Sequence, residues 1–117
     1  MIDQSFVELA RKYVEHSNAH DLEEIQKMFL DNASYESAYA GKFEGWESIA
    51  EMMKDFFERV PDVEWQVGGY EDVEENVVEF AFVMRGTDSK NGERIERHGV
   101  ERIGFTDSGR ICHIDVR

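Results

Sequence analysis

The spacing of apolar residues changes along this chain, and that change constrains the fold more than any other feature. Up to Pro61 most apolar residues recur every three or four positions, as on one face of a helix. After Pro61 they recur at every second position, as in strands that bury one face. Helices followed by strands with tight turns are typical of a segregated α+β domain. We expect a cone-shaped, mainly antiparallel sheet curved around a long N-terminal helix.

Three helices are predicted before Pro61. The first spans about Gln4 to His16, and the second begins at Asp21, where a glutamate three residues later completes a capping box, and ends at Asp31-Asn32. The third spans about Trp46 to Arg59, because Pro61 cannot continue a helix.

Four strands are predicted after Pro61, separated by glycine-containing turns. The first contains Val63–Val67 and ends at Gly68-Gly69, and the second contains Val78–Met84 and ends at Gly86. The third spans Arg94–Phe105 and the fourth spans Arg110–Val116. A hairpin loop over 88–92 carries the strong turn signal Asn-Gly.

A further strand is predicted over Ala33–Tyr39, and it indicates a cavity. Its residues alternate strictly, so that Tyr35, Ser37 and Tyr39 share one face. An aromatic face with a small polar residue at its centre suits the wall of a half-dry pocket. The segment Phe43–Ile49 then turns through a glycine into the third helix. This strand, turn and helix would form one side of a cone.

Composition and charge exclude several classes of function. The chain has 117 residues, which we interpret as one domain over residues 1–117, and a formal net charge of −13. So acidic a protein is not expected to bind nucleic acid or an anionic membrane. The single cysteine, Cys112, fits a reducing compartment. The first residues lack a signal-peptide pattern and no apolar run is long enough to cross a bilayer, so we expect a soluble cytoplasmic protein.

Several segments together resemble the nuclear-transport-factor-2-like superfamily, and within it the SnoaL-like and ketosteroid-isomerase-like branch. The similar segments are Lys12–Val14 with Asn18–Leu22, Phe29–Ala33, Phe43–Ile49, and Gly99–Phe105 with Gly109–Ile111. The resemblance covers nearly the whole chain and implies the cone-shaped, cystatin-like fold. Because its motifs are mainly architectural, it specifies the fold better than the reaction.

Glu101 is the sharpest candidate for chemistry. Strand alternation places it on the same face as Gly99, Ile103 and Phe105, a largely apolar row in which loss of solvation should raise the pKa of the carboxyl. The alternatives are an ion pair with Arg97 on the same face, or a position in water. The family resemblance implies that Glu101 donates a hydrogen bond to a substrate oxyanion.

Tyr13 lies on the inward stripe of the first helix. The resemblance implies that it is a second oxyanion donor, because ketosteroid isomerases use a tyrosine at this place. The alternative is a core tyrosine whose hydroxyl bonds to the backbone.

Two positions depart from the related enzymes. Ser37 stands where ketosteroid isomerases have an aspartate base, so that reaction is not expected. Gly99 stands where the similar limonene-epoxide hydrolases have an arginine, and epoxide hydrolysis is therefore doubtful. Asp115 approximately matches the acid–base aspartate of SnoaL-type cyclases and would divide acid and base roles with Glu101; the alternative is an aspartate in solvent near the chain end.

The sequence thus predicts a small-molecule-binding SnoaL-like protein. If it is an enzyme, we expect a cofactor-independent cyclase, isomerase or dehydratase that acts on an apolar, carbonyl-bearing substrate. We expect no metal site and no cofactor. The alternative is a non-catalytic carrier or dimerisation module, its cavity plugged by its own aromatic side chains. The predicted catalytic residues are Tyr13, Glu101 and Asp115; the predicted ligand-binding residues are Phe29, Tyr35, Ser37, Tyr39, Met53, Phe57, Trp65, Phe82 and Ile103.

A homodimer is also predicted. On the sheet face opposite Glu101, Val77, Ala81, Val83 and Val100 accompany His98. That face would present more apolar surface than a monomer usually shows to water.

Overall fold

The structure, a computed structural model, describes residues 5–117 as three helices and six strands. The helices are α1 (Phe6–Asn18), α2 (Leu22–Met28) and α3 (Trp46–Arg59). The strands are β1 (Phe29–Ser37), β2 (Gly41–Glu44), β3 (Glu64–Glu74), β4 (Val77–Thr87), β5 (Arg94–Phe105) and β6 (Ile111–Val116). They form a curved sheet in the order β2-β1-β6-β5-β4-β3, with antiparallel neighbours except for the parallel pair β1–β6. The predicted α+β fold with a mainly antiparallel sheet is confirmed.

Side-chain caps fix the start of the first two helices. The Ser5 hydroxyl accepts a hydrogen bond from the Glu8 N–H at 3.1 Å, and the Asp21 carboxylate accepts one from the Glu24 N–H at 3.2 Å. These bonds satisfy N–H groups of the first turn that have no partner within the helix. The predicted helix start at Gln4 lies outside the described residues.

The structure contradicts the predicted end of the second helix, the predicted start of the first strand at Ala33 and the predicted end of β3, because pairing between strands overrides local sequence preference. The second helix ends at Met28, since Phe29 already pairs with Ile111 of β6. Strand β3 continues past Gly68 and Gly69 to Glu74, the register shifting at these glycines as in a β-bulge. The short strand β2 was not predicted.

Two helices cover different halves of the sheet and leave space between them. Helix α1 packs against β3 and β4, whereas α3 packs against β1 and β2. The inward side chains of the sheet and helices form one apolar core, which includes Ala10, Ile25, Phe29, Ile49, Val78, Ile103, Ile111 and Ile114, each at most 1% exposed. Within residues 5–117, no helix combines the length and the apolar character needed to cross a bilayer.

Candidate functional site

A cavity of about 90 Å³ lies between α1, α3 and the inner face of the sheet. Eleven of its eighteen lining residues are apolar, and eight of these are aromatic or methionine: Met52, Met53, Phe56 and Phe57 of α3, Trp65 of β3, and Phe80, Phe82 and Met84 of β4. The polar lining groups are fewer: Tyr13 and Ser17 of α1, Tyr35 and Ser37 of β1, Tyr39 in the turn that follows, and Arg97 and Glu101 of β5. Apolar walls with a few polar groups are usual in small-molecule sites.

Glu101 lies at the buried end of this cavity. The alternation of β5 turns it inward with Ile103 and Phe105, and only 6% of Glu101 is exposed. Its Oε2 is the one buried side-chain oxygen or nitrogen within residues 5–117 that has no hydrogen-bond partner. Burial raises the pKa of Glu101 to about 8, because an apolar environment penalises the charged form. At neutral pH most molecules therefore carry a protonated carboxyl there.

The structure excludes both alternatives for Glu101. The side chain is not in bulk water, and within residues 5–117 neither oxygen forms an ion pair with Arg97 or any other cation. The carboxyl is thus available to a ligand as a donor through its proton or as an acceptor through its other oxygen.

Two tyrosines line the cavity near Glu101. Burial is the main cause that raises the pKa of Tyr13 well above its usual value, and the charge of Glu101 acts in the same direction. The same two causes raise the pKa of Tyr35 far above its usual value. Both phenols therefore stay protonated at neutral pH. Tyr13 is held in place by its position on the buried stripe of α1 and by an edge contact with Phe29, whose ring centre is 5.9 Å away.

Ser37 and Tyr39 line the cavity at and after the end of β1, and the exposed Tyr39 lies where the cavity opens to solvent. The Ser37 hydroxyl oxygen accepts hydrogen bonds from the N–H groups of Tyr39 at 3.1 Å and Ala40 at 3.2 Å, which holds the turn after β1. Tyr39 is 49% exposed, and the guanidinium carbon of Arg97 lies 4.5 Å from its ring centre. The mouth therefore has an aromatic side chain and a cation side by side.

Asp115, which was predicted to divide acid and base roles with Glu101, does not line the cavity. In the ladder between β5 and β6, Asp115 lies opposite Arg102, on the outer face of the sheet. Its carboxylate forms an ion pair with Arg117 at 2.9 Å. The cause is a register shift between β5 and β6 at Gly104, which breaks the alternation near Cys112. Ile111 points inward, but after this bulge Ile114 and Val116 do so as well, and Asp115 does not.

Two predicted ligand-binding residues belong to the core instead. Phe29 and Ile103 are 1% and 0% exposed and do not line the cavity. Phe29 is enclosed by Tyr13 and by Trp46, whose ring centre is 5.1 Å away. The other predicted ligand-binding residues do lie in the wall: Tyr35, Ser37, Tyr39, Met53, Phe57, Trp65 and Phe82. Their part in binding stays a prediction.

Several lining residues were not predicted from the sequence: Val14, Ser17, Ala40, Met52, Phe56, Phe80, Met84, Arg97 and Val116. For two of them the signal was present. Ser17 follows Tyr13 by one helical turn, and Arg97 shares the parity of Glu101 on β5. A charged residue four positions from a buried carboxyl is normally interpreted as its ion-pair partner. For that reason Arg97 was considered only as a partner of Glu101 and not as a residue of the cavity wall.

Gly99 is closely approached by two other parts of the chain. A Cβ atom at this position would lie 2.5 Å from the Arg117 carbonyl oxygen and 2.8 Å from the Phe82 ring. Both distances are well inside van der Waals contact, so the backbone leaves no space for an arginine side chain. Of these residues only Phe82 lines the cavity.

Comparison with solved structures shows which fold the chain adopts. The SalBIII protein, described as an epoxide hydrolase/cyclase-like enzyme with a role in pyran ring formation in the polyether salinomycin, is 22% identical, with a TM-score of 0.84 over 95% of this chain and 88% of that one. A cystatin-fold protein of Novosphingobium aromaticivorans is 18% identical, with a TM-score of 0.83 over 97% and 98% of the two chains. A putative polyketide cyclase of Xanthomonas campestris pv. campestris is 15% identical, with a TM-score of 0.79 over 95% and 87%. At these identities the likeness establishes a cystatin-like fold.

The family follows from the sequence itself. Residues 10–114 match the model of the SnoaL-like domain, which is nearly the whole chain. The protein therefore belongs to the SnoaL-like family, and the predicted resemblance is confirmed. No curated protein matches the chain.

Proposed function

We propose that the cavity binds a small, largely apolar molecule through a carbonyl oxygen, and that the protein catalyses a cofactor-independent isomerisation, cyclisation or dehydration of it. The observation that supports this most is the Glu101 carboxyl, buried at the end of an apolar cavity with an unpartnered oxygen. A buried polar group without a partner is costly, so its presence in a cavity favours a role with a ligand.

The proposed chemistry uses Glu101 as a general acid. When a hydroxyl group of the substrate adds to the carbonyl carbon, a C–O bond forms, the π bond of the carbonyl breaks and its oxygen takes the Glu101 proton. The proton of the added hydroxyl group leaves to solvent, from which Glu101 is protonated again. The phenols of Tyr13 and Tyr35 donate hydrogen bonds to the same region. Donors fixed in a dry site are worth most where charge develops, because no solvent has to reorganise. With a pKa of about 8, the carboxyl both holds its proton at neutral pH and returns to the protonated form readily.

The first prediction concerns binding of a ketone, for which 2-acetylnaphthalene is a fluorescent probe. We expect the native protein to bind it, and the variants Glu101→Leu and Tyr13→Phe to bind it about three- to tenfold more weakly, the loss typical of one hydrogen bond between neutral groups. Affinity for the ketone should also fall as the pH rises through about 8, because an ionised Glu101 cannot donate and repels the carbonyl oxygen.

Two controls make this experiment specific. The hydrocarbon 2-ethylnaphthalene has no acceptor, so its affinity should not fall in Glu101→Leu. The variant Asp115→Asn removes a carboxylate from the outer face and should bind the ketone as the native protein does. Equal ketone affinity in the native protein and both cavity variants would contradict the proposal, as would no binding of any apolar ketone.

Steroid isomerisation is not expected. Proton transfer between two substrate carbons needs a base beside them, and Ser37 offers no carboxylate in the cavity while Asp115 lies outside it. Loss of a positioned base typically lowers the rate by about 10²–10⁴. We predict that the native protein isomerises a 5-ene-3-ketosteroid no faster than the Glu101→Leu variant does in the same buffer. Rapid turnover by the native protein and not by the variant would contradict this.

A non-catalytic carrier is the second candidate, and Ser37 in the place of a base is the observation that favours it. Exchange of the carbonyl oxygen of a bound ketone with H₂¹⁸O, followed by mass spectrometry, distinguishes the two functions, because this exchange requires an acid that activates the carbonyl group and no carboxylate base. An enzyme of the proposed type accelerates exchange in a manner that depends on Glu101. A carrier binds the ketone with no acceleration.

We also propose that two copies associate through the outer sheet face. Ala81 is exposed there and Val77, Val83 and Val100 are partly exposed, with Ala81 beside Val100 in the ladder. A dimer would remove this apolar surface from water. Light scattering at micromolar concentration should report twice the chain mass of 13.6 kDa. A monomer under these conditions would exclude the association.

A further inference from the structure

Arg97 lines the cavity on the same strand and the same face as Glu101. They are four positions apart on β5, which corresponds to about 14 Å along an extended chain. Glu101 is buried, whereas Arg97 is partly exposed beside the exposed Tyr39. The two side chains therefore lie at opposite ends of one cavity.

The guanidinium group of Arg97 has N–H groups that are available to donate hydrogen bonds to a ligand. Its carbon lies 4.5 Å from the Tyr39 ring centre, a stacking contact that uses the flat face and leaves the N–H groups on its edge free. Within residues 5–117 it forms no ion pair and no hydrogen bond, although five other arginines do pair with carboxylates: Arg59, Arg85, Arg94, Arg102 and Arg117. Arg11 likewise has no carboxylate partner among residues 5–117 and lies over the Tyr70 ring, but it does not line the cavity.

The structure assigns Arg97 and Tyr39 to an anion subsite at the cavity mouth, and we propose that the ligand is an amphiphilic keto acid: a carboxylate at Arg97, an apolar body along the walls, and the carbonyl oxygen at Glu101. The planar fork of a guanidinium matches the two oxygens of a carboxylate. This inference rests on the proposed function, since it extends the ligand of the same cavity.

The net charge of the protein means that a preference for an anionic ligand can be attributed to a local cation. With a formal net charge of −13, the protein repels anions in general, so a neutral ligand should be favoured over its anionic analogue unless a local cation reverses the order. Arg97 is the cation in the cavity lining. A preference for a carboxylate would therefore be a property of this one side chain.

The test compares 6-acetyl-2-naphthoic acid with its methyl ester, two ligands that share the ketone and the apolar body. We expect the native protein to bind the acid about tenfold more tightly than the ester, as a charge-assisted hydrogen bond would give. In Arg97→Gln the ratio should fall to about one or below. The ratio is measured on one preparation, so a partly unfolded sample does not alter it.

A matched control removes the same charge elsewhere on the same strand. Arg94 pairs with Asp62 near the hairpin loop and does not line this cavity, so Arg94→Gln should keep the preference for the acid. A native protein that binds the ester at least as tightly as the acid would overturn the anion subsite but leave the proposed function standing. Retention of the preference in Arg97→Gln would also overturn it, and no binding of either compound would overturn both proposals.

Discussion

The variant Glu101→Gln should be more stable than the native protein at pH 8.5 and about equally stable at pH 4.5. In the unfolded chain Glu101 ionises near pH 4.5, and in the folded protein near pH 8. Between these values the folded state binds one proton more than the unfolded state, so the free energy of unfolding falls as the pH rises. Glutamine cannot ionise, and the variant escapes this loss.

The expected difference is large for a single side chain. A rise in the pKa from 4.5 to about 8, at about 1.4 kcal/mol for each pKa unit, corresponds to a loss on the order of 5 kcal/mol above pH 8. Urea unfolding of both proteins at the two pH values measures it directly. The control Asp115→Asn, on the outer face, should show no such gain. Coincident curves for Glu101→Gln and the native protein at pH 8.5 would show that Glu101 ionises as it does in water.

The variant Phe29→Ala should lose about 3–5 kcal/mol of stability, the usual cost of deleting a fully buried aromatic ring. Phe29 is 1% exposed and packs on Tyr13 and Trp46. Phe57→Ala should cost clearly less, because Phe57 is only partly buried and already borders a cavity. Chemical unfolding of the two variants tests the assignment of Phe29 to the core. A larger loss in Phe57→Ala than in Phe29→Ala would contradict it.

Much of the fold follows from the sequence because apolar periodicity reports directly which faces are buried. The helix Trp46–Arg59 has the predicted bounds, since Gly45, at φ 87°, and Pro61 mark its ends. Boundaries that depend on distant partners could not be predicted. The end of α2 is set by Phe29 pairing with Ile111, 82 residues away along the chain, and no local signal reports such a pairing.

The candidate site was predictable only where strand alternation is unbroken. On β5 the register runs without a shift from Arg94 to Gly104, so the inward orientation of Glu101 could be counted from its neighbours. On β6 a single bulge reverses the count and places Asp115 outside. Sequence alternation also cannot tell a wall of the cavity from the core behind it, which is why Ile103 was assigned to ligand binding.

The most direct test of this account is the titration of the Glu101 carboxyl by ¹³C NMR, assigned by comparison with Glu101→Gln. In the free protein the midpoint should lie near pH 8, because burial penalises the carboxylate. With 2-acetylnaphthalene bound it should lie higher still, because a hydrogen bond from the carboxyl to the carbonyl oxygen stabilises the protonated form. A midpoint at or below that of an ordinary glutamate, unmoved by the ketone, would contradict the claim that Glu101 is the proton donor of a ligand cavity.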